Sequence, residues 1–226
     1  MIQPLYEDNH LIIVNKPAGA LVQGDDTGDD PLGEEVKAYI KKKYKKPGDV
    51  FLGVIHRLDR PVSGAVIFAR TSKGLERMNK LFRDREVEKT YWALTKQKPA
   101  ELEGELVHWL KKDGAANKVT AFNKEGKGGQ KAILNYRLIG HFAEYYLLEV
   151  KPQTGRPHQI RVQLAKIGCP IFGDVKYGGD KSNDQSAIYL HSREVSFVHP
   201  VKQEPVRVTA KTPNDQIWKL FDGVAS

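Results

Sequence analysis

The chain reads as an α+β protein in which helices flank one mixed, mainly antiparallel sheet. Three observations carry that expectation. Short apolar runs suited to strands recur along all 226 residues, with LIIV from Leu11 and AVIFA from Ala65 the plainest. Between them lie segments whose apolar residues repeat at helical spacing. No internal repeat and no long linker divides the chain, so a single domain over residues 1–226 is expected.

In chain order, the first strand is expected at Leu11–Val14, stopped by Asn15, Lys16 and Pro17 with Gly19 in the turn. A polar, acidic loop runs from Gly24 to Pro31. Val36, Tyr39, Ile40 and Tyr44 then fall on one face of a helix expected over Glu34–Lys46, with lysines opposite. A second helix is expected at Ser72–Arg85, turning Leu75, Met78, Leu81 and Phe82 inward, with Thr71 or Ser72 as its cap. Strands are expected at Thr90–Thr95, Ala132–Ile139 and Tyr145–Val150. The first two are separated by a basic, glycine-rich stretch that reads as loop. Ile160, Leu164 and Ile167 repeat at helical spacing up to Gly168. The last strands are expected at Ile188–Phe197 and Val206–Ala210.

Composition narrows the function. Hydrophobic residues at 40% and aromatics at 9% are enough for a packed core, which excludes a disordered chain. No apolar run approaches the roughly 20 residues of a membrane helix. The start lacks a basic cap followed by an apolar stretch, so no secretory signal is read and a cytoplasmic location is expected. Cys169 is the only cysteine, which excludes an intramolecular disulfide and a cysteine-rich metal site. The seven histidines are scattered and imply no metal. A net charge of +8 suits a polyanionic partner. Part of it is the run Lys41–Lys46, which fits a solvated helix end. The rest is spread over Lys111, Lys112, Lys118, Lys124, Lys127 and Lys131, where flexible basic loops suit a phosphate backbone.

Two segments carry chemistry. HRLDRPVSG, from His56, places Asp59 between Arg57 and Arg60, flanked by the apolar runs FLGVI and AVIFA. Arginines beside an aspartate are common on surfaces, where such pairs contribute about 0–1 kcal/mol. Charge set between two core-like runs favours a lined cleft, where a carboxylate held among cations stays ionised and can act as nucleophile or base. KPQTGRPHQIRVQL, from Lys151, ends a strand in a Thr-Gly turn and opens a helix with Arg161 in its first turn. Arg156 adds a second fixed charge there. Facing the first segment, Arg161 would pair with Asp59 and keep it ionised. Tyr91 and Trp92 point to opposite faces of one strand, so one leaves the core unless both faces are covered. A tyrosine in a cleft can stack on a base or handle a proton.

With these pieces in order, the sequence resembles the RluA-type family of RNA pseudouridine synthases. The matching segments are YEDNHLIIVNKPAG, HRLDRPVSG, EKTYWAL, TGRPHQIRVQL, and YLHS with the later FVHP. The resemblance implies that family's catalytic fold with a central RNA-binding cleft, and no N-terminal S4 domain. It also implies isomerisation of uridine to pseudouridine in ribosomal or transfer RNA, without a cofactor. It makes Asp59 the catalytic aspartate, Arg161 its partner and Tyr91 the active-site tyrosine. Arg57 would fill the gap left by a flipped uridine, and Arg60, Arg156, His158 and Leu190 would lie against the RNA or the base. Val62 and Gln163 depart from the family pattern, which usually has threonine and often histidine there. A monomer is expected. Two rival readings are a non-catalytic RNA-binding factor, which would have no use for the acid, and a glycosidase or nuclease, which would need a second carboxylate or a metal.

Overall fold

The structure is a computed structural model that describes residues 2–24, 28–114, 116–126, 128–184 and 186–224. Lys127 and residues 25–27 of the acidic loop therefore lie outside the described residues. In chain order the elements are β1 (Pro4–Glu7), β2 (Leu11–Lys16), α1 (Leu32–Lys43), β3 (Gly53–Val54), β4 (Ser63–Ala69), α2 (Ser72–Asp84), β5 (Glu88–Thr95), β6 (Glu103–Asp113), β7 (Lys118–Phe122), β8 (Gln130–Phe142), β9 (Tyr145–Pro152), α3 (Gln159–Lys166), β10 (Leu190–Val198), β11 (Pro205–Thr209) and α4 (Gln216–Lys219). The fold is α+β, and every pairing with a described register is antiparallel. Among the described residues, no helix is long and apolar enough to cross a membrane. The chain forms two compact units, Met1–Glu88 with Ser192–Thr212 and Lys89–His191 with Pro213–Ser226.

In the first unit β4 pairs with β2 from Leu11↔Ala69 to Lys16↔Gly64 and neighbours β10 on its other side. Every residue of β4 is buried, because both faces are covered. Ala65 and Ile67 join Leu11, Ile13 and Met78 of α2 in one cluster, while Phe68, on the opposite face, lies against Gly33 of α1. The expected α2 cap is present, with Thr71 Oγ1 accepting from the Gly74 N–H at 3.0 Å. Met78 is fully buried, and Leu81 and Phe82 pack against the cluster from its rim.

The turn between β1 and β2 is fastened to the one between β10 and β11. Asp8 Oδ1 accepts from the N–H groups of His10 (2.8 Å) and Leu11 (2.7 Å). Its Oδ2 lies 3.0 Å from both His199 Nε2 and Lys202 Nζ. Burial opposes ionisation of Asp8, but the amide and lysine hydrogen bonds win and draw it down to about 2. The FVHP segment is thus accounted for by a structural role.

Two sequence expectations need correction here. FLGVI is not a core strand: Phe51 is 48% exposed, and only Gly53–Val54 pair, along the edge of β4. The stretch read as basic loop contains a hairpin, β6 and β7, paired from Trp109↔Phe122 to Asp113↔Lys118. Its buried residues alternate, Leu110 on β6 with Val119 and Ala121 on β7, and they pack with Ala132 and with Val162 of α3. Lysines at Lys111, Lys112 and Lys118 hide that alternation because they stand exposed at the far end of the hairpin.

In the second unit the strand order is β5-β9-β8-β6-β7. β5 pairs with β9 through Tyr91↔Val150 and Trp92↔Glu149. Both Tyr91 and Trp92 are buried, so both faces are covered at that point. Trp92 packs with Leu94, Leu147, Trp218 and Phe221, the last two supplied by the C-terminal segment that contains α4.

Candidate active site

In the first unit the HRLDRPVSG segment is fixed at both ends. His56 Nε2 accepts from the Ile67 N–H of β4 at 3.0 Å, and its ring stacks on Phe82 at 5.0 Å. Val62 N–H donates to Asp59 O at 3.0 Å, closing a turn, and the Val62 side chain is buried. A valine at this position therefore does apolar packing. Gly64 adopts φ +116°, and a Cβ there would sit 2.3 Å from Ser192 O, so only glycine fits. Between these anchors Arg57 and Arg60 are exposed and Asp59 is half-buried.

The turn rests on a residue that sequence reasoning left without a role. Lys16 is fully buried, and its Nζ donates to Pro17 O (3.0 Å), Ala20 O (2.7 Å) and Arg60 O (3.0 Å). Gly19 N–H donates to the same Arg60 carbonyl at 2.8 Å. Burial pushes the Lys16 ammonium down to about 8, while the Asp59 charge works to keep it protonated and the Arg60 charge works against that. A buried ammonium thus sits within electrostatic reach of the candidate carboxylate. The signal available in the sequence was a lysine straight after LIIVN and before Pro-Ala-Gly. Arg60 is a loop fastener, its Nε donating to Gly19 O at 3.0 Å and its Nη2 to Asp29 at 2.5 Å.

In the second unit the turn after β9 is pinned by one glutamine. Gln159 Oε1 accepts from Thr154 Oγ1 (2.8 Å) and from the Arg156 N–H (3.0 Å), while its Nε2 donates to Ile133 O (3.0 Å). Arg156 Nε donates to Lys131 O at 3.1 Å. His158 is the N-cap of α3 in the left-handed region at φ 51°. Arg161, in the first turn of α3, is buried with Asp174, which takes its Nε at 2.7 Å and its Nη2 at 2.8 Å in a bidentate pair. Arg161 Cζ also lies 5.2 Å from the centre of the Tyr177 ring. The sequence reading offered Asp59 as the carboxylate for Arg161 and did not name Asp174. The cue for Asp174 is an acid beside a glycine after an apolar run, PIFGD, which differs from the arginine-flanked setting of Asp59.

Gln163 is fully buried and braces two strands, its Nε2 within reach of Leu106 O (3.2 Å), Ala132 O (3.3 Å) and His108 Nδ1 (3.0 Å). A side-chain amide fills this position by hydrogen bonding to the sheet. Leu190 is buried at the start of β10.

The RNA pseudouridylate synthase family model matches residues 10–166, a span that includes Asp59, Tyr91 and Arg161. The chain is 34% identical over 215 residues to ribosomal large subunit pseudouridine synthase C of Rickettsia bellii, covering 93% of this chain and 68% of that protein. It is 32% identical over 243 residues to tRNA pseudouridine synthase C of Vibrio vulnificus, covering 98% and 95%. Among solved structures, human RNA pseudouridylate synthase domain containing 4 superposes with a TM-score of 0.78 at 24% identity, over 96% of this chain and 91% of that one, so the fold is shared. Fold and sequence together define the class, an isomerase that acts on uridine in RNA. The chain belongs to the RNA pseudouridylate synthase family, in its RluA-type branch.

Proposed function

We propose that Asp59 is the catalytic carboxylate of this synthase and that it acts on uridines of ribosomal or transfer RNA. Support for Asp59 comes chiefly from one observation: its turn is built over a buried lysine whose charge the carboxylate helps to sustain. The reaction breaks the bond from N1 to C1′, turns the uracil while it stays bound, and joins C5 to C1′, with a proton lost from C5 and one gained at N1. Asp59 adds to C1′ or takes the proton at C2′, and either step needs it ionised. Tyr91 stacks on the uracil and assists proton removal, and Arg161, its guanidinium oriented by Asp174, supplies a fixed positive charge.

The base must leave its stack, at a cost on the order of a few kcal/mol, which stacking on Tyr91 and insertion of Arg57 offset. Arg156 and His158, with the exposed lysines of the β6–β7 hairpin, bind phosphates, while Leu190 packs near the base. Relatives named for ribosomal and for transfer RNA support both substrate classes. In this reading the enzyme is a cytoplasmic monomer. The test is chemical mapping of pseudouridine in RNA from a strain lacking the gene. At least one modified position should be missing, restored by the wild-type chain and not by Asp59→Asn. An unchanged map would overturn the proposal.

A further inference from the structure

The segment GDVKYG, Gly173–Gly178, contributes Asp174 and the Tyr177 ring to the surroundings of Arg161, and its other contacts reach several elements of the second unit. Lys176 Nζ donates to Asn117 O at 3.1 Å, in the turn of the β6–β7 hairpin. Tyr177 Oη accepts from the Val119 N–H of β7 at 2.9 Å. The same hydroxyl is hydrogen-bonded to His158 Nδ1 at 2.7 Å. The Tyr177 ring meanwhile lies under the Arg161 guanidinium and packs against the cluster of Leu110, Val119 and Val162. The turn has little room to shift, because a Cβ on Gly179 would come within 2.1 Å of Ile171 O.

β7 ends the strand order of its unit, so a side-chain hydroxyl here satisfies a backbone N–H of an edge strand. One short turn thus grips the basic hairpin through Lys176 and the Tyr177 hydroxyl, and Arg161 through Asp174 and the Tyr177 ring. We propose that Tyr177 is a positioning residue that holds the RNA-gripping hairpin, His158 and Arg161 in one geometry, so that RNA seated on the hairpin meets a correctly oriented arginine. The inference rests on the functional reading above and deepens it. It assigns the hydroxyl to RNA seating and the ring to Arg161.

Tyr177→Phe keeps the ring and removes the hydroxyl with its contacts to Val119 and His158, whereas Tyr177→Leu removes the ring as well. The probe is total RNA labelled with 5-tritiated uridine from a strain lacking the gene, used for tritium release and for filter binding. Tyr177→Phe should raise KM and Kd about tenfold with kcat within about twofold, and Tyr177→Leu should in addition lower kcat at least about tenfold. A hydroxyl that only stabilises the fold would lower Tm and leave KM and Kd at wild-type values, which overturns the proposal. Equal kcat for the two variants overturns it as well. If the wild type bound RNA but released no tritium, the functional reading would fail, while the Kd of Tyr177→Phe would still decide whether the hydroxyl seats RNA.

Discussion

Asp174→Asn isolates what the buried ion pair contributes. The Asp174 and Arg161 side chains are 1% and 7% exposed, so removing the carboxylate charge takes the bidentate Asp174 partner away from a buried guanidinium. Breaking such a pair by one partner costs about 3–5 kcal/mol. Asparagine keeps one oxygen for one of the two guanidinium contacts, at 2.7 Å and 2.8 Å in the wild type, and that recovers about 1 kcal/mol. The expected loss is therefore about 3 kcal/mol, or roughly 6–12 °C in Tm for a chain of this length. Urea unfolding of wild type, Asp174→Asn, Arg161→Met and the double variant measures it without the ionic screening of guanidinium. The double variant should be less destabilised than the sum of the singles by about 2 kcal/mol. A loss under about 0.5 kcal/mol, or an additive cycle, would refute the reasoning.

Burial pushes His199 below its ordinary value against the pull of Asp8, with Lys202 and His10 adding to the depression, and its Nδ1 accepts from the N–H groups of Val201 (3.2 Å) and Lys202 (3.0 Å). Its contribution to stability is thus full above the ordinary histidine value of 6.5 and falls as the pH drops below it, since protonating Nδ1 breaks both bonds. His199→Asn should flatten that part of the stability profile, and parallel profiles from urea titrations would contradict the assignment. Lys16→Met removes a buried ammonium that donates to three carbonyls under the Asp59 turn, and kcat for tritium release should fall about tenfold or more. Wild-type activity should also decline as the pH rises through about 8, where Lys16 loses its proton, and a flat profile there would count against this role.

The strand cores and α2 were legible because their signals are local. LIIV and AVIFA are apolar throughout, and Thr71 stands where a cap is needed. The β6–β7 hairpin was not legible, because its buried positions Leu110, Val119 and Ala121 sit among lysines and glycines that also suit a loop. Of the candidate site, Asp59 and Arg161 stood out as charges next to apolar runs and turns. Their supports did not. Lys16 and Asp174 lie 43 and 13 positions away in sequence, and the folded chain alone reveals that one carries the Arg60 carbonyl and the other the guanidinium. No helical or strand period links residues at such spacings.

The central claim is that Asp59 carries out the rearrangement of uridine. Release of tritium from RNA labelled with 5-tritiated uridine measures that directly, because joining C5 to C1′ expels the C5 hydrogen. The wild-type enzyme should release tritium without forming free uracil, and Asp59→Asn should bind the same RNA and release none. Release by Asp59→Asn at the wild-type rate would contradict the account.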